Sequence, residues 1–255
     1  MKKIGIMGVR INNVSMDEVI SEVKVKIDKK EQYIIYTPNT EIVMMCQKDE
    51  EFLSLMNQSD INTPDGIGLI YASKIKKLPL KEKVAGFDLS VRMLDMANDK
   101  GLRLYAVGGK PGVAEMAMKN INEKYPNIII AGCHHGYFKG THLGKNGHEE
   151  ELKVVEEINK ANPDILFVGF GAKKQEQWIQ YNKNKVNASI IIGNGGTIDV
   201  LAGNVKRAPE IFIKLGLEWF YRLIKEPGRI SRQIVLPVFI VKVLFGDKNI
   251  VKEIK

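Results

Sequence analysis

Two loops hold the residues best suited to bind a polar ligand and take a proton from it. Tyr33–Asn39 reads YIIYTPN and Ile61–Gly66 reads INTPDG, each a β-prone run that stops at a Thr-Pro step. A residue ahead of proline is pushed toward extended backbone, so the chain should leave a strand at each step. Asp65 can act as a general base within hydrogen-bond reach of a hydroxyl, and Gly66 beside it lets the backbone come close to a substrate. Thr37 and Asn39 supply a hydroxyl and an amide to hold that substrate. The same Thr63-Pro64-Asp65-Gly66 stretch also reads as a plain turn, with Asp65 capping a helix over 67–74.

Such loops need strands that end at one edge of an α/β sheet, where ligands bind. The second half of the chain has that rhythm. Short apolar runs at Arg103–Val107, Ile128–Ala131, Ile165–Val168 and Ser189–Ile192 alternate with helical segments near Gly112–Tyr125, Glu149–Ala161 and Lys174–Asn184. This alternation predicts a Rossmann-like, mostly parallel sheet with flanking helices. Ahead of it, Lys3–Ile11 reads as a short strand and turn, and Ser15-Met16-Asp17-Glu18 as a capping box opening a helix to about Lys29. A single helix is expected through Glu41–Met56, a basic loop over Lys74–Lys83, and a helix Leu89–Asn98 capped by Asp88.

Three strands end in glycine, at Gly108-Gly109, Gly169-Phe170-Gly171 and Gly193-Asn194-Gly195-Gly196. Glycine at a strand–helix turn lets backbone N–H groups and a helix N-terminus face an anion such as a nucleotide diphosphate. No G-x-G-x-x-G or Walker A lysine motif is present, which counts against NAD and ATP. His134 and His135 should point apart in a strand-like run and no Asp-x-Asp occurs, so no metal site is expected. Lys173, Lys174 and Gln175 could meet a phosphate and a sugar at a strand mouth. Alternatively they form a solvated helical turn over a buried Trp178.

The 255 residues are 44% apolar and 27% charged, a soluble globular composition with ample core. Cys46 and Cys133 make no disulfide framework, and Met1–Gly5 begins no long apolar run, so a cytoplasmic protein is expected. The net charge of +8 is uneven: residues 206–255 hold 11 Lys or Arg against 5 Asp or Glu, and the first 205 residues only about +2. Residues 1–204 therefore read as a catalytic α/β domain and 205–255 as a separate helical unit. Pro209 suits a first helical position, and one helix to Lys225 would carry Glu210, Lys214, Glu218 and Arg222 on a stripe. Beyond Glu226-Pro227-Gly228 come Arg229, Arg232 and an apolar run, Ile234–Phe245. Twelve helical residues reach about 18 Å against roughly 30 Å of hydrocarbon, so the run cannot span a bilayer. Basic side chains beside Trp219, Phe220 and Tyr221 suit a peripheral membrane segment; a packed subdomain or oligomer interface is the alternative. Nucleic acid as a partner lacks a recognisable module.

Taken in order, Thr37-Pro38-Asn39, Pro64-Asp65-Gly66, Gly86-Phe87-Asp88-Leu89, Gly108-Gly109-Lys110-Pro111-Gly112, Gly169 through Trp178, and Arg207-Ala208-Pro209 with Gly216-Leu217-Glu218-Trp219, Arg222, Glu226-Pro227, Arg229 and Arg232 resemble the WecG/TagA/CpsF bacterial glycosyltransferases. The resemblance runs from about residue 30 to 235. It implies a Rossmann-like core with a helical C-terminal appendage, in an inverting enzyme that needs neither metal nor cofactor and sits on the cytoplasmic face of the cell membrane. Such enzymes move an N-acetylmannosamine-type sugar from a UDP donor to undecaprenyl-diphosphate-linked N-acetylglucosamine, in teichoic acid linkage-unit or other surface polysaccharide synthesis. A different UDP-hexosamine or uronic acid donor, or a non-catalytic membrane- or partner-binding module, remains the alternative.

By motif, the resemblance implies that Asp65 is the base, that Thr37 and Asn39 place the sugar, and that Gln175 acts at the donor. Gly108, Gly109, Lys83 and Asp199 would also bind substrate, and Arg222, Arg229 and Arg232 would meet the diphosphates. The chain departs from the pattern twice: Lys83 stands where an arginine is expected, without its bidentate phosphate contact, and Gly195-Gly196-Thr197-Ile198-Asp199 replaces a glycine-small-Phe-Asp run. The tail could instead close a homo-oligomer, self-association being balanced against membrane attachment.

Overall fold

Strands covered on both faces must be apolar throughout, and the central strands here meet that condition. The structure is a computed structural model that describes residues 1–225 and 235–254, the side chains of Lys214, Arg222, Lys225 and Lys248 excepted. It opens with β1 (Lys3–Ile6), β2 (Val9–Asn12), α1 (Met16–Lys29), β3 (Tyr33–Tyr36), α2 (Thr40–Cys46), α3 (Glu50–Met56), β4 (Ile61–Asn62), α4 (Ile67–Ile75) and α5 (Gly86–Lys100). There follow β5 (Arg103–Gly108), α6 (Val113–Lys124), β6 (Ile129–His134), α7 (Glu149–Ala161), β7 (Ile165–Gly169), α8 (Lys174–Asn182), β8 (Ile190–Gly193) and α9 (Thr197–Leu201). The tail adds α10 (Glu210–Lys214), α11 (Glu218–Lys225), α12 (Val235–Phe245) and β9 (Val251–Ile254).

Six strands pair in the order β4-β3-β8-β7-β5-β6, all parallel. Alternate residues face opposite layers. Ile34, Tyr36, Tyr105, Val107, Leu166, Val168 and Ile191 join the core beneath α2, α3, α4, α7 and α8. Ile35, Leu104, Ala106, Ile165, Phe167, Ile190 and Ile192 join the core beneath α1, α5, α6 and α9. The expected Rossmann-like parallel sheet with covering helices is what forms. The capping box forms too: Ser15 Oγ accepts from Glu18 N, and Glu18 accepts from Ser15 N at 2.8 Å.

The local differences have local causes. The helix expected through Glu41–Met56 is two, because the Asp49 side chain accepts from Phe52 N at 2.9 Å and starts α3 afresh. Asp88 caps nothing; α5 begins at Gly86, and Asp88, inside its first turn, pairs with Arg207. The single helix expected over 209–225 breaks between α10 and α11, where Gly216 takes φ +71° and lies against Ile67.

The segment past residue 204 is interleaved with the N-terminus. Phe239 and Val243 of α12 are fully buried, in a helix that packs on α2 and α4. The unanticipated strand β9 pairs antiparallel with β1, Ile4 opposite Glu253, giving a second sheet in the order β2-β1-β9. The hairpin β1–β2 is in turn tied to β4, since Asn62 Nδ2 donates to Arg10 O at 2.8 Å and Asn12 Oδ1 accepts from Asn62 N at 3.0 Å.

Candidate active site

Parallel strands place all their C-terminal ends on one edge, so the loops after β3, β4, β5, β7 and β8 open on the same side. Backbone bonds lock the first two loops together: Thr63 N donates to Tyr36 O at 2.9 Å, Asp65 N to Pro38 O at 3.1 Å, and Val84 N to Pro64 O at 2.9 Å. The α5 start arrives against them. Asp65 Oδ2 accepts from Gly86 N at 3.1 Å, and a Cβ on Gly86 would lie 2.9 Å from Thr37 Oγ1, so a bare glycine lets Thr37, Asp65 and α5 converge. Gly66, φ +98°, stands at the cap position ahead of α4 and no side chain caps that helix, so Asp65 is not the helix cap that its turn-like sequence also allowed. Asn39 Oδ1 does cap, accepting from Ile42 N at 3.0 Å, which leaves its amide N–H groups for a ligand.

These residues line a cavity of about 860 Å³. Thr37, Asn39, Asp65, Lys83, Gly109, Gln175 and Asp199 all face it, from six different loops and helix starts. Gly108 lies beneath, its backbone packed on that of Gly169. The tail supplies another side through Val205, Arg207, Glu218, Trp219, Val235 and Leu236. Lys83 Nζ stands 4.0 Å from Glu218 Oε2, linking the loop before α5 to α11. Arg222 is on α11, one turn beyond the cavity-lining Glu218 and Trp219, whereas Arg229 and Arg232 fall outside the described residues.

Some lining residues carried no sequence assignment. Lys110 faces the cavity, as does Arg207, whose guanidinium pairs with Asp88 and sits 4.7 Å from the Phe87 ring centre; of the lysines expected at the strand mouth, Lys174 lines the cavity while Lys173 pairs with Asp49 instead. The signal for Arg207 was its place in Arg207-Ala208-Pro209; its partner, 119 residues earlier, left none. His134 and His135 do not point apart, their rings being 4.4 Å from each other, and His142 stacks on Phe170 at the cavity rim, also at 4.4 Å. Burial, the largest cause, pulls the His142 imidazole below its ordinary value, favouring its neutral form. No three His, Cys, Asp or Glu side chains among the described residues are grouped to hold a metal ion.

Residues 4–250 match the glycosyl transferase WecG/TagA/CpsF family. The chain belongs to that family. A Bacillus subtilis (strain 168) relative named N-acetylglucosaminyldiphosphoundecaprenol N-acetyl-beta-D-mannosaminyltransferase is 37% identical over 223 residues, which cover 88% of this chain and 83% of the relative. A Staphylococcus aureus (strain MW2) protein of the same name is 33% identical over 252 residues, 98% of this chain and 95% of the relative.

Within this WecG/TagA/CpsF glycosyltransferase, the most perturbed carboxyl among the described residues sits just behind the cavity wall. Glu176 is 1% exposed, its Oε1 accepts from Gln175 Nε2 at 2.8 Å, and its Oε2 has no partner among the described residues. Burial pushes its carboxyl up to about 7. An unfolded glutamate titrates near 4.3, so between about pH 4.5 and 7 the folded chain keeps a proton that the unfolded chain has lost. Stability therefore falls as pH rises through that window and is level above it, by roughly 3 kcal/mol in all. Glu176→Gln removes this dependence. Thermal melts should show the variant matching its parent near pH 4 and exceeding it by about 6–12 °C at pH 8; melting temperatures that keep a constant difference across that range would refute the assignment.

Proposed function

We propose that the protein transfers N-acetylmannosamine from UDP-N-acetylmannosamine to undecaprenyl-diphosphate-linked N-acetylglucosamine, with inversion and without a metal, in teichoic acid linkage-unit or related surface polysaccharide synthesis. The carrying observation is the single cavity in which Asp65, Thr37 and Asn39 converge with the glycine turns at Gly109 and Gly195-Gly196. The names of the relatives state the acceptor and the sugar for those proteins, and the shared family supports the same chemistry here.

In this reading Asp65 takes the proton of the acceptor hydroxyl as its oxygen attacks the anomeric carbon. The carbon–oxygen bond to UDP breaks, and the diphosphate leaves with the bonding electron pair. A single displacement of this kind inverts the anomeric centre. Charge growing on the leaving diphosphate needs preorganised donors. Lys110, Lys174 and Arg207 line the cavity, as do the first turns of α8 and α9, and the tail arginines Arg222, Arg229 and Arg232 are proposed to complete the clamp.

The acceptor is a lipid, which sets where the protein works. No helix among the described residues is long and apolar enough to cross a membrane. Ile211, Leu215, Phe220 and Ile224 on the tail helices, with Leu244 and Phe245 of α12, are exposed and apolar within a basic segment. Such a surface suits peripheral attachment to the inner face of the cell membrane; self-association through it is the competing use. Purified protein given a short-chain lipid-diphosphate N-acetylglucosamine and a panel of UDP-sugars is expected to turn over UDP-N-acetylmannosamine best and to keep its rate in chelator. A rate abolished by chelator, or a different preferred donor, would count against the corresponding half of the reading.

A further inference from the structure

Gln175 lines the cavity at the start of α8 yet is almost wholly buried, with both ends of its amide engaged. Its Oε1 accepts from the Gly195 backbone N–H at 2.8 Å, and its Nε2 donates to Glu176 Oε1 at 2.8 Å. A backbone N–H can only donate, so the amide must turn its oxygen toward Gly195 to satisfy it. Rotating the amide by half a turn sets an NH₂ against that N–H and loses the Gly195 bond, whatever the protonation state of Glu176. Nothing in Gln175 itself prefers one rotation over the other; the Gly195 N–H on one side and the Glu176 carboxyl on the other select the same one.

The unit is tightly built. A Cβ on Gly193, at the end of β8, would lie 3.0 Å from Gln175 Nε2 and 3.3 Å from Glu176 Oε1, so carboxyl, amide and glycine turn touch one another. The backbone that presents the pair is held from elsewhere. Lys173 takes φ +69°, a conformation rare for a side-chain-bearing residue, while its Nζ pairs with Asp49 of the α3 cap. Tyr36 Oη donates to Glu176 O at 3.3 Å and accepts from Gln180 Nε2 at 3.0 Å. Replacing the Glu176 side chain therefore leaves these backbone anchors in place.

We propose that Glu176 is a positioning residue for the donor subsite: by accepting from Gln175 it keeps the amide oxygen on the Gly195 N–H, sets the Gly193–Gly196 turn against the donor, and leaves the second Nε2 hydrogen for the ligand. The proposal rests on the reading that the cavity takes a UDP-sugar. Its role is in binding, so it shows in donor KM before kcat.

Three chains test it: the parent, Glu176→Leu, which fills the site without an acceptor, and Glu176→Gln, which restores an oxygen at the same place. Donor KM and kcat at saturating acceptor, UDP affinity by calorimetry, and melting temperature are measured on each. Glu176→Leu is expected to raise donor KM and the UDP Kd about tenfold or more, the worth of one lost hydrogen bond, with kcat changed less than about threefold and the melting temperature not lowered. Glu176→Gln is expected to bring donor KM back to within about threefold of the parent. A merely structural acid would lower the melting temperature and leave KM alone. A Leu variant with donor KM within about twofold of the parent, or a raised KM that Glu176→Gln does not reverse, overturns the proposal; Glu176→Met answers the same question if the Leu chain does not fold. A parent that turns over no UDP-sugar overturns the donor reading and this proposal together, whereas an active parent with an unmoved Leu variant overturns this proposal alone.

Discussion

Asp65→Asn is expected to lower kcat for sugar transfer by about 10²–10⁴-fold, the usual contribution of a positioned general base, while UDP binds almost as it does to the parent. The substitution is nearly isosteric, and an asparagine oxygen can still accept from Gly86 N, so the junction of the β4 loop with α5 keeps its hydrogen bond. What is lost is the ability to carry the acceptor's proton. Donor binding should survive because the glycine turn at Gly195 follows β8, and β8 is two strands from β4 across β3. Two strand spacings are roughly 10 Å, room for a sugar between base and nucleotide cradle. Steady-state transfer and UDP calorimetry on the same preparation separate the two effects. An Asn variant retaining more than about a tenth of the parent kcat would remove Asp65 from the role of base.

Which parts of this arrangement are legible in the chain follows from the range of the interactions involved. The parallel sheet shows because each central strand is apolar end to end, as in Ile165–Gly169, and the α1 start shows because Ser15 and Glu18 are three residues apart. The convergence of Thr37, Asn39 and Asp65 on one edge follows from two Thr-Pro steps leaving parallel neighbours. Interactions between distant residues leave no such mark. Asp88 resembles any helix cap until Arg207 is brought to it, and Val251-Lys252-Glu253-Ile254 is too short and too charged to announce a strand without β1 beside it. Glu176 is the sharpest case. Lys173 through Gln177 is wholly polar and reads either as a ligand-meeting strand mouth or as a solvated turn, neither of which marks Glu176 as buried; the positive φ at Lys173 accompanies Gln175 and Glu176 turning inward while its own amine stays near the surface with Asp49.

The tail separates two ideas that the chain alone leaves together, an appendage that only attaches to lipid and a segment that also builds the pocket. A protein ending at Gly203 is expected to fold, because every strand of the parallel sheet lies before residue 194. It should fold less stably. Phe239 and Val243 are fully buried, and at about 1.5–3 kcal/mol each their loss alone is roughly 3–6 kcal/mol, before β9 leaves β1 unpaired on one side. At about 2–4 °C per kcal/mol for a chain of this size, the melting temperature should fall by roughly 10–20 °C. Activity should suffer more than stability. Arg207, Glu218, Trp219 and Leu236 all leave the cavity wall, and Asp88 is left without its arginine at a helix start where a diphosphate would have to approach. A loss above about 10³-fold in kcat/KM is expected, as for removal of preorganised charge and closure together. The decisive assay uses a water-soluble, short-chain acceptor, which needs no membrane. Full activity there, with binding to liposomes lost, would make the tail an anchor and nothing more; activity lost on the soluble acceptor makes it part of the active site.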